Sequence, residues 1–91
     1  MSSGVRRRLW ATSRRSAGWD AAISSFSAAI RQKPDYADAY NNRGIAYGKK
    51  GEYDKAIKDY SEAIRLKPDY AEAYRNRGIA FHFQKKYDQA I

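Results

Sequence analysis

Apolar residues recur at helical spacing through the middle of the chain. Between residues 37 and 50 they lie at Ala39, Tyr40, Gly44 and Tyr47, which share one face of a helix. Residues 53–66 carry a second stripe of the same kind, made of Tyr53, Ala56, Ile57, Tyr60, Ala63 and Ile64. The pattern therefore predicts two amphipathic helices in succession.

Local signals place the ends of these helices. Asp35 precedes the first stripe as a candidate N-cap, with Asp38 three residues later in an arrangement like a capping box. Gly48 and Gly51 follow the first stripe and are expected to end that helix. Pro68 follows the second stripe and cannot continue a helix without losing a hydrogen bond.

The same pattern repeats along the chain at a fixed offset. The tetrapeptide at residues 33–36, KPDY, recurs 34 residues later at residues 67–70. Residues 37–57 match residues 71–91 at 12 of 21 positions, and residues 19–36 match residues 53–70 at 11 of 18. A helical period of this length predicts stacked helix pairs, an all-α solenoid.

The register divides the chain into four parts. Residues 1–17 form a basic leader, and residues 18–36 the second helix of a partial repeat. Residues 37–70 are a full repeat, and residues 71–91 a truncated one whose first helix is expected to end near residue 84. We therefore expect about two and a half repeats.

The repeat resembles the tetratricopeptide-repeat (TPR) family. The residues that carry the resemblance are Tyr40, Gly44, Tyr47, Ala56, Tyr60, Ala63 and Pro68, repeated as Tyr74, Gly78, Phe81 and Ala90. Small residues at Gly44 and Ala56 allow the helices to approach closely. The family's large apolar position is occupied here by Arg43 and Arg77, whose alkyl stems are expected to pack while the guanidinium groups point outward.

Composition narrows the function. The chain has no cysteine and one histidine, His82, so no metal site, cofactor or catalytic triad is predicted. No apolar run approaches the roughly 20 residues needed to cross a bilayer. These features favour a non-enzymatic protein of the cytoplasm, with no membrane partner.

The net charge of +8 lies mostly in the leader, because residues 1–19 hold five arginines and no acidic residue. We favour a degenerate or foreign segment for this leader. An organellar transit peptide and a nucleic-acid-binding arm are the alternatives.

The resemblance implies a protein-interaction scaffold that binds an extended peptide or partner helix on the concave face of its first helices. The candidate groove residues are Asp38, Asn41, Asn42, Ile45, Lys49, Glu72, Arg75, Asn76, Ile79, His82 and Phe83. Asn42 and Asn76 are repeat equivalents that offer donors and acceptors to a peptide backbone, like the asparagine ladder of long TPR superhelices.

Other partners are weighed against this interpretation. TPR co-chaperones bind a carboxylate through lysine, asparagine and arginine, of which only Asn42 carries over, so this function is not favoured. Nucleic acid is an alternative partner that we regard as unfavoured, and it would use the leader. We also expect homo-oligomers, formed when residues 18–33 of one molecule dock on residues 71–84 of another.

Overall fold

The computed structural model describes residues 18–90, and these residues form four helices. Helix α1 is described from residue 18 to residue 32, α2 spans Ala37–Lys49, α3 spans Tyr53–Leu66 and α4 spans Ala71–Ala90. Short connections make α2, α3 and α4 pack as successive neighbours, and α4 also meets α2. The predicted all-α solenoid is confirmed. Residues 1–17 and Ile91 lie outside the described residues, so the predictions for the leader remain predictions.

The start of α2 differs from the prediction. Its N-cap is Tyr36, which makes no side-chain capping hydrogen bond, and Asp35 is therefore not the cap. The Tyr36 backbone N–H donates to the Lys33 carbonyl at 3.0 Å, which closes a turn with Pro34 and Asp35 at its centre. Proline favours the second position of such a turn, so Asp35 belongs to the turn rather than to the helix.

The end of α4 also differs from the prediction. Helix α2 ends at Lys49, and the following turn places Gly51 at φ +84°, a conformation that side chains disfavour. The residue 34 positions later is Lys85, and α4 continues through it to Ala90 instead of ending near residue 84. The third unit lacks the glycine that the turn requires, so one helix runs where two were expected.

The core lies along α3 and joins it to both neighbouring helices. Ala56 and Tyr60 pack with Ala80, while Ala63 and Ile64 pack with Ala73. Small side chains dominate this core, and they allow the three helices to approach closely. A Cβ added to Gly44 would lie 2.7 Å from the Tyr60 ring, which confirms the close approach predicted at this glycine.

Arg43 lies against α3 and does not point outward as expected. Its Nε and Nη2 donate to the two carboxylate oxygens of Asp59 at 2.8 Å each, and its Nη1 donates to Ser27 Oγ at 3.0 Å. The Asp59 side chain is only 8% exposed. A buried carboxylate needs such a partner, and the paired hydrogen bonds with Asp59 raise the pKa of Arg43. One guanidinium thus joins α1, α2 and α3.

Candidate functional site: a groove between helices α2 and α4

A groove of about 460 Å³ lies between α2 and α4, with α3 as its floor. The walls and floor come from three helices because the repeat places each first helix beside the next. Its lining residues are Ile45, Gly48, Lys49, Tyr53, Tyr60, Glu72, Asn76, Ile79, Ala80 and Phe83. Most of them are apolar or aromatic, and a few polar groups stand among them, as is typical of binding sites.

The polar wall of the groove is fixed by an amide network. Asn76 Nδ2 donates to Asn41 Oδ1 at 3.2 Å, and Asn41 Nδ2 donates to Glu72 Oε2 at 3.4 Å. Asn41 is only 1% exposed, so it supports the wall from behind. The network orients the Asn76 and Glu72 side chains, whose remaining polar atoms are free to face a ligand.

The aromatic side of the groove is also ordered. The rings of Tyr53 and Phe83 stack with centroids 5.8 Å apart, although Phe83 remains 44% exposed. Tyr60 forms the floor, and its burial, with the nearby carboxylates of Asp59 and Glu72, raises its pKa to about 12. The phenol lies at the base of a cleft lined mainly by apolar and aromatic side chains.

Six of the predicted groove residues meet at this site. They are Ile45, Lys49, Glu72, Asn76, Ile79 and Phe83. Asn41 contributes indirectly through its hydrogen bonds. Two pairs among them, Ile45 with Ile79 and Lys49 with Phe83, are repeat equivalents on two first helices. Glu72 and Asn76 line the groove without their equivalents.

The other predicted groove residues lie elsewhere. Asp38 accepts a hydrogen bond from Tyr70 Oη at 2.7 Å, and burial together with this hydrogen bond raises the pKa of Tyr70 to about 12. Asn42 and Arg75 are exposed and do not line the groove, and His82 is exposed with its ring edge-on to Phe83. Asn42 and Asn76 therefore do not share this groove.

The sequence interpretation missed the floor. Tyr53 and Tyr60 are seven residues apart on α3 and so share a helix face, a signal that predicted their burial but not their position between α2 and α4. Gly48 and Ala80 also line the groove. Their small side chains leave the space that a ligand would fill.

A second exposed surface lies on the opposite side of α4. Tyr74, Arg77, Gly78 and Phe81 follow one another at helical spacing, and we call them the outer face of α4. Tyr74 is 47% exposed and Phe81 is 50% exposed. A Cβ added to Gly78 would meet nothing within 4 Å. The outer face of α4 is thus open where the equivalent face of α2 is covered by α3.

Two further findings concern chemistry and membranes. Within residues 18–90, no cluster of three or more histidine, cysteine, aspartate or glutamate side chains could hold a metal ion. None of the four described helices combines the length and apolar character needed for a bilayer span. The arrangement found is a groove lined mainly by apolar and aromatic side chains.

Comparison with known families agrees with this architecture. One tetratricopeptide-repeat model matches residues 37–70, and a second TPR-repeat model matches residues 18–51. Together they cover more than half of the 91 residues. No curated protein matches the chain significantly.

Proposed function

Because this chain belongs to the tetratricopeptide-repeat family, whose repeats generally mediate protein–protein interaction, we propose that it is a scaffold that binds an extended peptide in the groove between α2 and α4. The observation that carries the proposal is the groove itself, with apolar walls at Ile45, Ile79 and Phe83 beside the ordered amide of Asn76. No catalytic role is included.

The groove suits an extended segment with one large apolar side chain. That side chain would lie over Tyr60, between Ile45 and Ile79, where its burial is worth about 1.5–3 kcal/mol. Asn76 can hydrogen-bond to the peptide backbone through the atoms that its contact with Asn41 does not use. Lys49 and Glu72 lie on opposite walls and would favour a peptide with opposite charges on its two edges.

A selection experiment tests this proposal. The full chain is panned against a phage-displayed library of random linear peptides, and the enriched peptides are measured by titration calorimetry. We expect Phe83→Ser to weaken binding by roughly ten-fold, because it removes an aromatic wall. The matched control is Phe81→Ser, which changes the same residue type at nearly the same exposure on the opposite face of α4.

The result that would overturn the proposal is equally specific. If no peptide is enriched, or if enriched peptides bind the Phe83→Ser variant as well as the parent chain, the groove is not the binding site. An asparagine-dependent contact is tested in the same way with Asn76→Ala. Asn42→Ala is its control, since Asn42 lies outside the groove.

Two other expectations stay predictions. Self-association through residues 18–33 and 71–84 is tested by sedimentation over a wide range of concentration, where a single monomeric species would contradict it. Nucleic-acid binding depends on the five arginines of residues 1–19. This hypothesis predicts that the affinity of the chain for DNA or RNA falls steeply as the salt concentration rises.

A further inference from the structure

Glu72 brings a negative charge to the groove, and its hydrogen-bond partner within residues 18–90 is neutral. Glu72 Oε2 accepts a hydrogen bond from Asn41 Nδ2 at 3.4 Å. Arg75 lies three positions later on α4, yet no ion pair among the described side chains includes Glu72. A carboxylate can accept about four hydrogen bonds, so most of the accepting capacity of Glu72 remains for a ligand.

The amide network holds this carboxylate in place. Asn41 is 1% exposed, and it donates to Glu72 while it accepts from Asn76 Nδ2 at 3.2 Å. Rotation of the Asn41 amide would leave buried polar atoms without partners, so its orientation is fixed. Asn76 keeps its own carbonyl oxygen and one N–H for a ligand. Because Glu72 and Asn76 are one helical turn apart, the Glu72 carboxylate and Asn76 Oδ1 form neighbouring acceptor groups on one face of α4.

The Glu72 carboxylate also lies near the floor of the groove. Burial is the main cause of the raised pKa of Tyr60, and the negative charges of Asp59 and Glu72 add to it. A charge has this effect only at short range, so the Glu72 carboxylate is close to the Tyr60 phenol. A ligand side chain that enters the groove beside Tyr60 can therefore reach Glu72.

The groove has opposite charges at its two ends. Asn41 bonds to Glu72 and Asn76 at one end, and Lys49 and Phe83 line the groove further along the same two helices. Glu72 and Phe83 are eleven residues apart on α4, which corresponds to about 16 Å along the helix axis. Lys49 is the repeat equivalent of Phe83 and so lies at that far end. A basic ligand side chain is therefore attracted to the Glu72 end and repelled from the Lys49 end.

Building on the proposed peptide-binding function, we propose that the bound peptide carries an arginine whose guanidinium binds Glu72 and Asn76, about three positions from the apolar residue over Tyr60. A guanidinium can donate two parallel hydrogen bonds to the carboxylate and another to Asn76 Oδ1, an arrangement that the ammonium group of lysine cannot match. The spacing follows from Ile79, which would contact the apolar side chain. Ile79 is seven residues from Glu72, or about 10 Å along α4, and an extended chain covers that distance in about three residues.

The overall charge of the chain makes arginine an unexpected ligand residue without such a local site. The net charge is +8, so basic peptides are repelled by the molecule as a whole. Selection of arginine by this chain therefore requires an acidic group inside the binding site, and Glu72 is the acidic residue that lines the groove.

The probe is the phage-displayed library of random linear peptides, panned in parallel against the full parent chain and two variants. We expect the peptides selected by the parent chain to contain arginine about three positions from an aliphatic or aromatic residue. Glu72→Gln should lose the selection of arginine and keep that of the apolar residue. Glu62→Gln is the matched control, because it removes the same charge from α3 outside the groove and breaks only a surface ion pair with Arg65.

Titration calorimetry then measures the contact directly. The arginine of an enriched peptide is replaced by citrulline, which has nearly the same shape and no charge. We expect binding to the parent chain and to Glu62→Gln to weaken roughly ten-fold. The same replacement should change binding to Glu72→Gln very little, because the partner charge is already absent.

Several outcomes would overturn this arginine site and leave the peptide groove intact. They are enriched peptides without a basic residue, equal selection of arginine by Glu72→Gln, and an equal effect of citrulline on the parent chain and on Glu72→Gln. A lysine peptide that binds the parent chain as tightly as the arginine peptide would overturn the assignment of a guanidinium. If the library yields no enriched peptide at all, the proposed function fails and the arginine site fails with it.

Discussion

Helices α2 and α4 carry nearly the same residues on one face, yet that face is core in α2 and surface in α4. Gly44 is buried against Tyr60, whereas Gly78 is exposed and a Cβ added to it would meet nothing within 4 Å. Arg43 is paired with Asp59, whereas Arg77 bonds only to Ser61 among the described residues. The repeated sequence gives both helices a face that can pack against another helix. Whether that face is buried depends on the presence of a neighbouring helix.

The largest expected effect comes from a charge placed between α2 and α3. Ala56 is 0% exposed, so Ala56→Glu would bury a carboxylate with no partner and should cost several kcal/mol. For a small domain with roughly 5–15 kcal/mol of stability at most, cooperative unfolding should disappear from thermal melts followed by circular dichroism. The control is Ala71→Glu, at an exposed alanine in the first turn of α4, where an acidic residue is favourable. A melting temperature of Ala56→Glu within a few degrees of the parent would refute this packing.

The next largest effect on stability is expected from the equivalent arginines Arg43 and Arg77. Arg43→Gln leaves the nearly buried Asp59 carboxylate without its cation, and we expect a loss of about 1.5–3 kcal/mol in the free energy of unfolding. Arg77→Gln removes only the bond to Ser61 and should cost about 0.5–1 kcal/mol. Urea titrations of both variants measure the difference. Equal losses would mean that the Asp59 pair contributes nothing beyond the serine contacts.

The two glycines should respond with opposite signs. Gly44→Ala forces the buried Tyr60 ring to move, and overpacking of this kind typically costs about 1–3 kcal/mol. The better helix propensity of alanine offsets up to about 1 kcal/mol of that cost. Gly78→Ala meets nothing and should therefore stabilise the chain by up to about 1 kcal/mol. If both variants stabilise the chain, the ring and Gly44 are not in close contact.

The sequence predicted the repeat and most of its interior, because periodicity and small residues at Gly44 and Ala56 report packing between neighbours. It did not predict that α4 would continue to Ala90, since that depends on the absence of a glycine at the position of Gly51. It also treated Arg43 as a substitute for an apolar residue, because its partners Ser27 and Asp59 lie 16 residues away on either side. Pairings between helices are visible only once the register of the stack is known.

The candidate site was also predicted only in part from the sequence. Four of the six predicted residues that line the groove form two pairs of equivalent positions on α2 and α4, Ile45 with Ile79 and Lys49 with Phe83. Asn42 was grouped with Asn76 for the same reason, yet Asn76 bonds to Asn41 instead. The hydrogen bond between Asn76 and Asn41 joins the first helices of two successive repeats. Knowing which residues are equivalent in the two repeats does not reveal which residues contact each other between them.

The smallest effect at neutral pH concerns Tyr60, the side chain present over Gly44 and missing over Gly78. Burial raises its pKa from the ordinary value of 10.0 to about 12, so the folded chain holds the phenol proton more tightly than the unfolded chain does. This contribution to stability is fully present below pH 10 and is lost as the pH rises from about 10 to about 12.

We therefore expect the free energy of unfolding to change little with this group at neutral pH and to fall above pH 10. Urea titrations at increasing pH measure the fall. It should be smaller in Tyr60→Phe, because phenylalanine keeps the ring over Gly44 and has no proton to lose. Tyr70→Phe should reduce the fall as well, since its phenol is also raised to about 12. Tyr36→Phe, at an exposed tyrosine, serves as the control. The same alkaline fall in Tyr60→Phe and in the Tyr36→Phe control would show that the ring over Gly44 is not shielded from solvent, and the contrast between the two glycines would then need another cause.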